Sequence, residues 1–159
     1  MRLTIAIATA AALTVTSPAD AAPPRAAVEH FPAPARPDGS APPFSSAVRV
    51  GDVLYLSGQI GNGPDGKLPD GIAAQSKQAL DNIGAVLRRA GLGYADVFHC
   101  TAMLSDMGNW PAFNTVYVPY FPAGKLPARS AFGANGLALG ALIELECQAY
   151  AGKAAGERG

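Results

Sequence analysis

The sequence predicts an α+β domain, with two helices packed on one face of a mixed β-sheet. Three observations carry that expectation. Short β-rich runs cluster toward both ends of the folded part, two segments between them repeat their apolar residues at helical spacing, and Gly and Pro pairs punctuate the boundaries. The predicted order is strand–strand–helix–strand–helix–strand–strand, with a hairpin at each end.

Two segments of different character come first. Met1-Arg2 is a short positive start, residues 3–15 are apolar apart from threonines, and Ala19-Asp20-Ala21 puts small residues where a signal peptidase reads. This predicts a secretory signal peptide over residues 1–21. The apolar run falls short of the ~20 residues that a membrane-spanning helix needs. The mature chain is therefore expected to be exported, periplasmic or secreted, and free of the membrane. Residues 22–43 hold seven of the fourteen prolines, interleaved with alanine and without apolar periodicity. Such a segment buries too little surface to offset its ordering entropy, so it reads as an extended leader. Residues 44–153 suffice for one domain, and residues 154–159 read as a flexible tail.

Within the domain, Ala47-Val48-Arg49-Val50 and Val53-Leu54-Tyr55-Leu56-Ser57 flank Gly51-Asp52, which predicts a tight antiparallel hairpin. Gly63-Pro64-Asp65-Gly66 is a loop of turn formers. Ile72, Ala79, Leu80, Ile83, Leu87 and Ala90 form one helical stripe, and Gly91 stands where a left-handed residue ends a helix. Residues 97–104 read as a third strand. Asp106 is a candidate N-cap for a second helix carrying Trp110, Phe113, Tyr117 and Phe121, which Pro119 should end near Tyr117. Residues 130–133 and 142–150 are the last two strands. The helices leave one sheet face uncovered, and its natural cover is another copy of the chain.

Charge and cysteine content narrow the function. Twelve basic and twelve acidic residues balance, and no Lys/Arg cluster or basic–aromatic interleaving appears, so the footprint of a nucleic-acid binder is missing. Cys100 and Cys147 show no metal-ligand spacing. A disulfide is conceivable in an exported chain. Both residues fall in predicted strands, however, where a buried thiol packs as a small hydrophobe, and two free thiols are the favoured reading.

The strongest chemical signal is Arg129 in Leu126-Pro127-Ala128-Arg129-Ser130, with Glu144 fifteen residues later in Ile143-Glu144-Leu145-Glu146. An arginine after a stiffening proline, flanked by small residues, suits a two-pronged grip on a carboxylate. Glu144 can position or deprotonate a water. Glu146, on the same strand face, reads as solvated. Ser57-Gly58-Gln59-Ile60-Gly61 has phosphate-loop glycine spacing, but no helix opens directly after it, so a sharp strand exit is expected, with Ser57 facing a ligand. Asn114 is a second candidate contact. Trp110, Phe113 and Tyr117 read as core rather than a stacking platform. His30 falls in the leader, and neither His99 nor Cys100 belongs to a nucleophilic triad.

Taken together, Phe44-Ser45-Ser46-Ala47-Val48, Ser57-Gly58-Gln59-Ile60, the run from Gln75 to Ile83, Asn114-Thr115-Val116-Tyr117, Pro127-Ala128-Arg129-Ser130 and Ile143-Glu144-Leu145-Glu146 resemble, in order, the RidA (YjgF) family. That resemblance implies a chorismate-mutase-like fold and homotrimers with ligand clefts between subunits. It also implies hydrolysis of small 2-imino acids, such as 2-iminopropanoate and 2-iminobutanoate, to 2-oxo acids and ammonia, with no metal or organic cofactor. By the same resemblance Arg129 clamps the substrate carboxylate and Glu144 orients the attacking water. Main-chain groups of Ser130 and Ala131 border the imine, and Phe44, Ser57 and Asn114 line the cleft. The family often has tyrosine where Phe44 stands, and some members have cysteine at Ala131. The alternative is a module that binds small carboxylates or 2-oxo acids at the same clefts without turnover. RNA cleavage, also attached to the family, is poorly supported by a chain with no basic groove and no plausible histidine pair.

Overall fold

The computed structural model describes residues 26–36 and 38–152. The expected signal peptide and the tail 154–159 lie outside the described residues. Seven strands form one sheet: β1 (Val28–Pro32), β2 (Ser45–Val50), β3 (Val53–Leu56), β4 (Gln59–Ile60), β5 (Val97–Leu104), β6 (Ala128–Gly133) and β7 (Ile143–Tyr150). They lie in the order β1-β2-β3-β7-β5-β6, with β4 also paired to β7. The β5–β6 pairing is parallel, and the others are antiparallel. The mixed α+β architecture is as expected.

Local chemistry explains most elements. Val50 pairs with Val53 across the β2–β3 turn, where Gly51 takes φ 57°, a left-handed value that favours glycine. Helix α1 (Ile72–Arg89) buries Ala79, Leu80, Ile83, Val86 and Leu87, one stripe at helical spacing. It ends as predicted at Gly91, φ 73°. The Gly91 N–H donates to the Arg88 carbonyl at 3.0 Å and Leu92 N–H to the Leu87 carbonyl at 2.9 Å, a Schellman closure of the last turn. Asp106 does cap a helical start. Its carboxylate accepts the Gly108 N–H at 2.8 Å and opens a 3₁₀ turn (Met107–Asn109) that runs into helix α2 (Trp110–Tyr117). Pro119 lies in the 3₁₀ turn just beyond, where the α-helix stops.

The core sits between the helices and one sheet face. Along β7, Ile143, Leu145, Cys147 and Ala149 are buried, whereas Glu144 and Gln148 are half-buried and Glu146 and Tyr150 exposed. This period of two assigns the odd positions to the helices and the even ones to the open face. Val28, Val50, Tyr55, Phe132 and Tyr150 stand on that open face by register and are 40–52% exposed.

Four expectations need correction. Residues 28–32 of the supposed leader form β1, paired with β2 from Val28↔Val50 to Pro32↔Ser45, so His30 lies in the sheet. An edge strand exposed on much of its surface has little apolar signature, and its hydrogen bonds depend on a distant partner. Strand β4 also went unexpected, being only two residues long. The two last strands do not form a hairpin. β7 inserts between β3 and β5, leaving β6 at the edge, parallel to β5. Finally, Cys100 and Cys147 are not free thiols. That insertion puts them opposite each other, Cα–Cα 4.1 Å, and joined by a disulfide.

Candidate functional site

Arg129 lies in β6 opposite Cys100, and side chains of paired residues share a face, so it points toward the helices. There Trp110, Asn114 and Tyr117, spaced four and three apart on α2, present one stripe to it. The guanidinium carbon is 4.5 Å from the centre of the Trp110 ring, 4.4 Å from Tyr117 and 5.4 Å from Phe113. Nη2 donates to the Asn114 Oδ1 at 2.8 Å. Nη1 is shielded from solvent and has no acceptor, and the buried Tyr117 hydroxyl likewise has no partner. Burial pushes the Tyr117 phenol up to about 12, against an opposing pull from the Arg129 charge. Among the described residues the one ion pair is Lys77–Asp81, so Arg129 carries its charge without a carboxylate partner.

Glu144 lies opposite Met103 of β5 and Ile60 of β4. Met103 is three residues from Cys100, an odd step, so Glu144 faces away from the helices. Its carboxylate rests on Gly58: a Cβ there would overlap it. Partial burial, then the Glu146 charge, hold the Glu144 carboxyl above the usual carboxylate range.

The remaining predicted residues divide between these two places. Ser57 adjoins Gly58, but its hydroxyl donates to the Ser45 carbonyl at 2.7 Å, tying the exit of β3 to β2. Phe44, the neighbour of Ser45, is 53% exposed. Ser130 is exposed and pairs with Thr101 on the open face, while Ala131 packs against the core. Asn114 holds the arginine. Thus the protomer presents two half-sites, Arg129–Asn114 on the helix side and Glu144–Gly58–Ser57 on the open side, with strand β5 between β6 and β7. It does not bring Arg129 and Glu144 together on one face.

Sequence reasoning placed Trp110, Phe113 and Tyr117 in the core. Phe113 and Tyr117 are indeed buried, yet all three rings also face the guanidinium. The signal was their helical spacing around Asn114. Gly58 was read as part of a strand exit, and its role beneath a carboxylate was missed. No group of three or more His, Cys, Asp or Glu among the described residues is placed to hold a metal ion.

An arginine on an aromatic wall and a glutamate with a raised pKa on a strand stand in an α+β sheet with one open face, an arrangement whose fold class can be compared with known proteins. Comparison with known proteins gives this class its family. The family described as Endoribonuclease L-PSP matches residues 34–151, and the chain belongs to it, that is, to the RidA/YjgF family. A Mus musculus protein named 2-iminobutanoate/2-iminopropanoate deaminase is 40% identical over 112 residues, covering 69% of this chain and 82% of that one. The Homo sapiens protein of the same name is 38% identical over 120 residues, 74% and 87% of the two chains. The crystal structure of RidA from Psychrobacter sp. PAMC 21119 superimposes with a TM-score of 0.66 at 32% identity, over 76% of this chain and 94% of that one. Yeast Mmf1 gives 0.71 at 29% identity, over 79% and 100%.

Proposed function

We propose that the chain is a cofactor-independent imine deaminase, hydrolysing small 2-imino acids to 2-oxo acids and ammonia in clefts between subunits of a homotrimer. The observation that carries this reading is Arg129, a charge without an acidic partner among the described residues, oriented by an amide and three rings on an edge strand. The names of the relatives supply the substrate class. The opposed half-sites support the assembly: a ligand touching both Arg129 and Glu144 must lie between protomers, and the exposed apolar residues of the open face are what association would cover. The buried disulfide supports export to an oxidising compartment.

The chemistry asks little of the protein. The imine carbon is already electrophilic. Arg129 binds the carboxylate with two parallel N–H···O bonds, and an ionised Glu144 accepts a proton from water as the water oxygen bonds to that carbon. Glu144 passes that proton to the imine nitrogen, giving a carbinolamine and restoring the carboxylate. Glu144 then carries the hydroxyl proton to the amino nitrogen, the C–N bond breaks, and ammonia leaves as the carbon becomes a ketone. Orientation supplies most of the advantage.

Arg129→Ala tests the reading. Losing two charge-assisted bonds, ~1.5 kcal/mol each, should lower kcat/KM for 2-iminopropanoate at least ~100-fold without unfolding the chain. Equal clearance by variant and wild type, with the imine generated by an amino-acid oxidase, would falsify the site. Because Phe44 and Ala131 lack the hydroxyl and thiol of some relatives, the same assay is paired with 2-oxo acid binding. Binding without acceleration would replace the enzyme with a non-catalytic receptor.

A further inference from the structure

We infer that Asn114 and Tyr117, with the Trp110 ring against the guanidinium, are positioning residues that set the orientation of Arg129 for a carboxylate ligand. This inference rests on the functional reading above and assigns the means by which its key side chain is held.

An arginine on an edge strand has many rotamers and loses conformational freedom when fixed in one. A two-pronged grip on a planar carboxylate works only if the guanidinium plane is fixed beforehand. Three elements on this face restrict that plane. The rings of Trp110 and Tyr117, at 4.5 and 4.4 Å, hold the guanidinium against aromatic surfaces. The Asn114 Oδ1, at 2.8 Å, takes one N–H of Nη2 and fixes rotation within the plane. The third element is a pair of complementary polar atoms, the Nη1 donor and the Tyr117 hydroxyl. Each is buried and has no partner. Arg129 nevertheless stands close enough to Tyr117 to oppose the rise that burial imposes on its phenol. A rotation that joins them satisfies two buried polar groups at once. The neutral phenol then accepts from Nη1. Asn114 therefore acts through Arg129 rather than lining the cleft itself, and Tyr117 does more than fill the core.

Tyr117→Phe, Asn114→Ala and Asn114→Asp separate this role from simple packing. Each is compared with wild type by calorimetric binding of 2-oxobutanoate, steady-state hydrolysis of 2-iminobutanoate and thermal unfolding. Tyr117→Phe and Asn114→Ala should each raise Kd and KM about tenfold, the loss of one hydrogen bond to a charged group. Their kcat should change far less. Tyr117→Phe should keep Tm within about 4 °C of wild type, because the ring stays packed and only one hydrogen bond is lost. Asn114→Asp should weaken binding more than Asn114→Ala, since its carboxylate occupies and neutralises the guanidinium. Wild-type Kd and KM in Tyr117→Phe and Asn114→Ala would overturn the inference. So would a fall in Tm well beyond that in Tyr117→Phe, or unweakened binding by Asn114→Asp. In those cases wild type still binds and turns over, and the functional reading stands. A wild-type chain that neither binds 2-oxobutanoate nor clears the imine would remove both.

Discussion

Removing the Cys100–Cys147 bond should lower the stability of the domain substantially without abolishing its fold. The cross-link joins residues 47 apart in sequence, at facing positions in β5 and β7. Closing a loop of that length removes about 4 kcal/mol of chain entropy from the unfolded state. For a domain of this size that corresponds to a Tm lower by roughly 10–15 °C. The double variant Cys100→Ala/Cys147→Ala should show this loss by calorimetry, with a little more from the sulfur volume left unfilled between strands and helices. Wild type unfolded without reductant should react with no thiol reagent, whereas unfolding with reductant should expose both cysteines. A double variant melting within about 2 °C of wild type would refute the reasoning, as would two reactive thiols in unreduced protein. The bond also has a place in the site. Cys100 stands opposite Arg129, and Cys147 is on the strand of Glu144, so the cross-link holds together the strands that separate the half-sites.

Three further outcomes follow from the Glu144 half-site. Because burial and then Glu146 raise the Glu144 pKa, activity that needs its ionised form should fall as pH drops through that raised value. Glu146→Gln should move this acid limb to lower pH, and an unmoved limb in the pH–kcat/KM profile would exclude Glu144 as the group that handles water. The same shift works against stability as pH rises: the folded chain prefers the protonated acid, a preference present at low pH and lost above the folded pKa. Glu144→Gln should therefore melt no lower than wild type at neutral pH while losing activity. Gly58→Ala adds a Cβ where the Glu144 carboxylate rests, so it should displace that group and lower kcat by roughly tenfold, with KM less affected. Unaltered kcat would show that the carboxylate position is not critical.

Much of the fold was legible because it is written in short-range periodicity. The stripe of α1, its glycine stop, the Asp106 cap, the Gly51 turn and the alternation of β7 are all decided by residues within a few positions of one another. Arg129 and Glu144 stand out in the sequence for a similar reason: a proline, small flanking residues and a strand with acids on one face mark them locally. Strand β1 was not legible. Its pairing depends on the free edge of β2, about twenty residues away, and prolines around it masked a run that is extended because a partner holds it.

What the chain by itself determined is the set of elements, the polarity of each face and the types of side chain available for binding an anion. The tertiary structure alone decided strand order, and with it which residues meet. Placing β7 between β3 and β5 turned two unmarked cysteines into a cross-link and sent Arg129 and Glu144 to opposite faces. Packing α2 beside β6 turned three aromatic residues into the wall of an arginine site. Periodicity fixes which way a side chain points from its own strand or helix. Which strand lies alongside is set by burying the apolar faces of the whole domain, a sum over contacts that no local pattern contains.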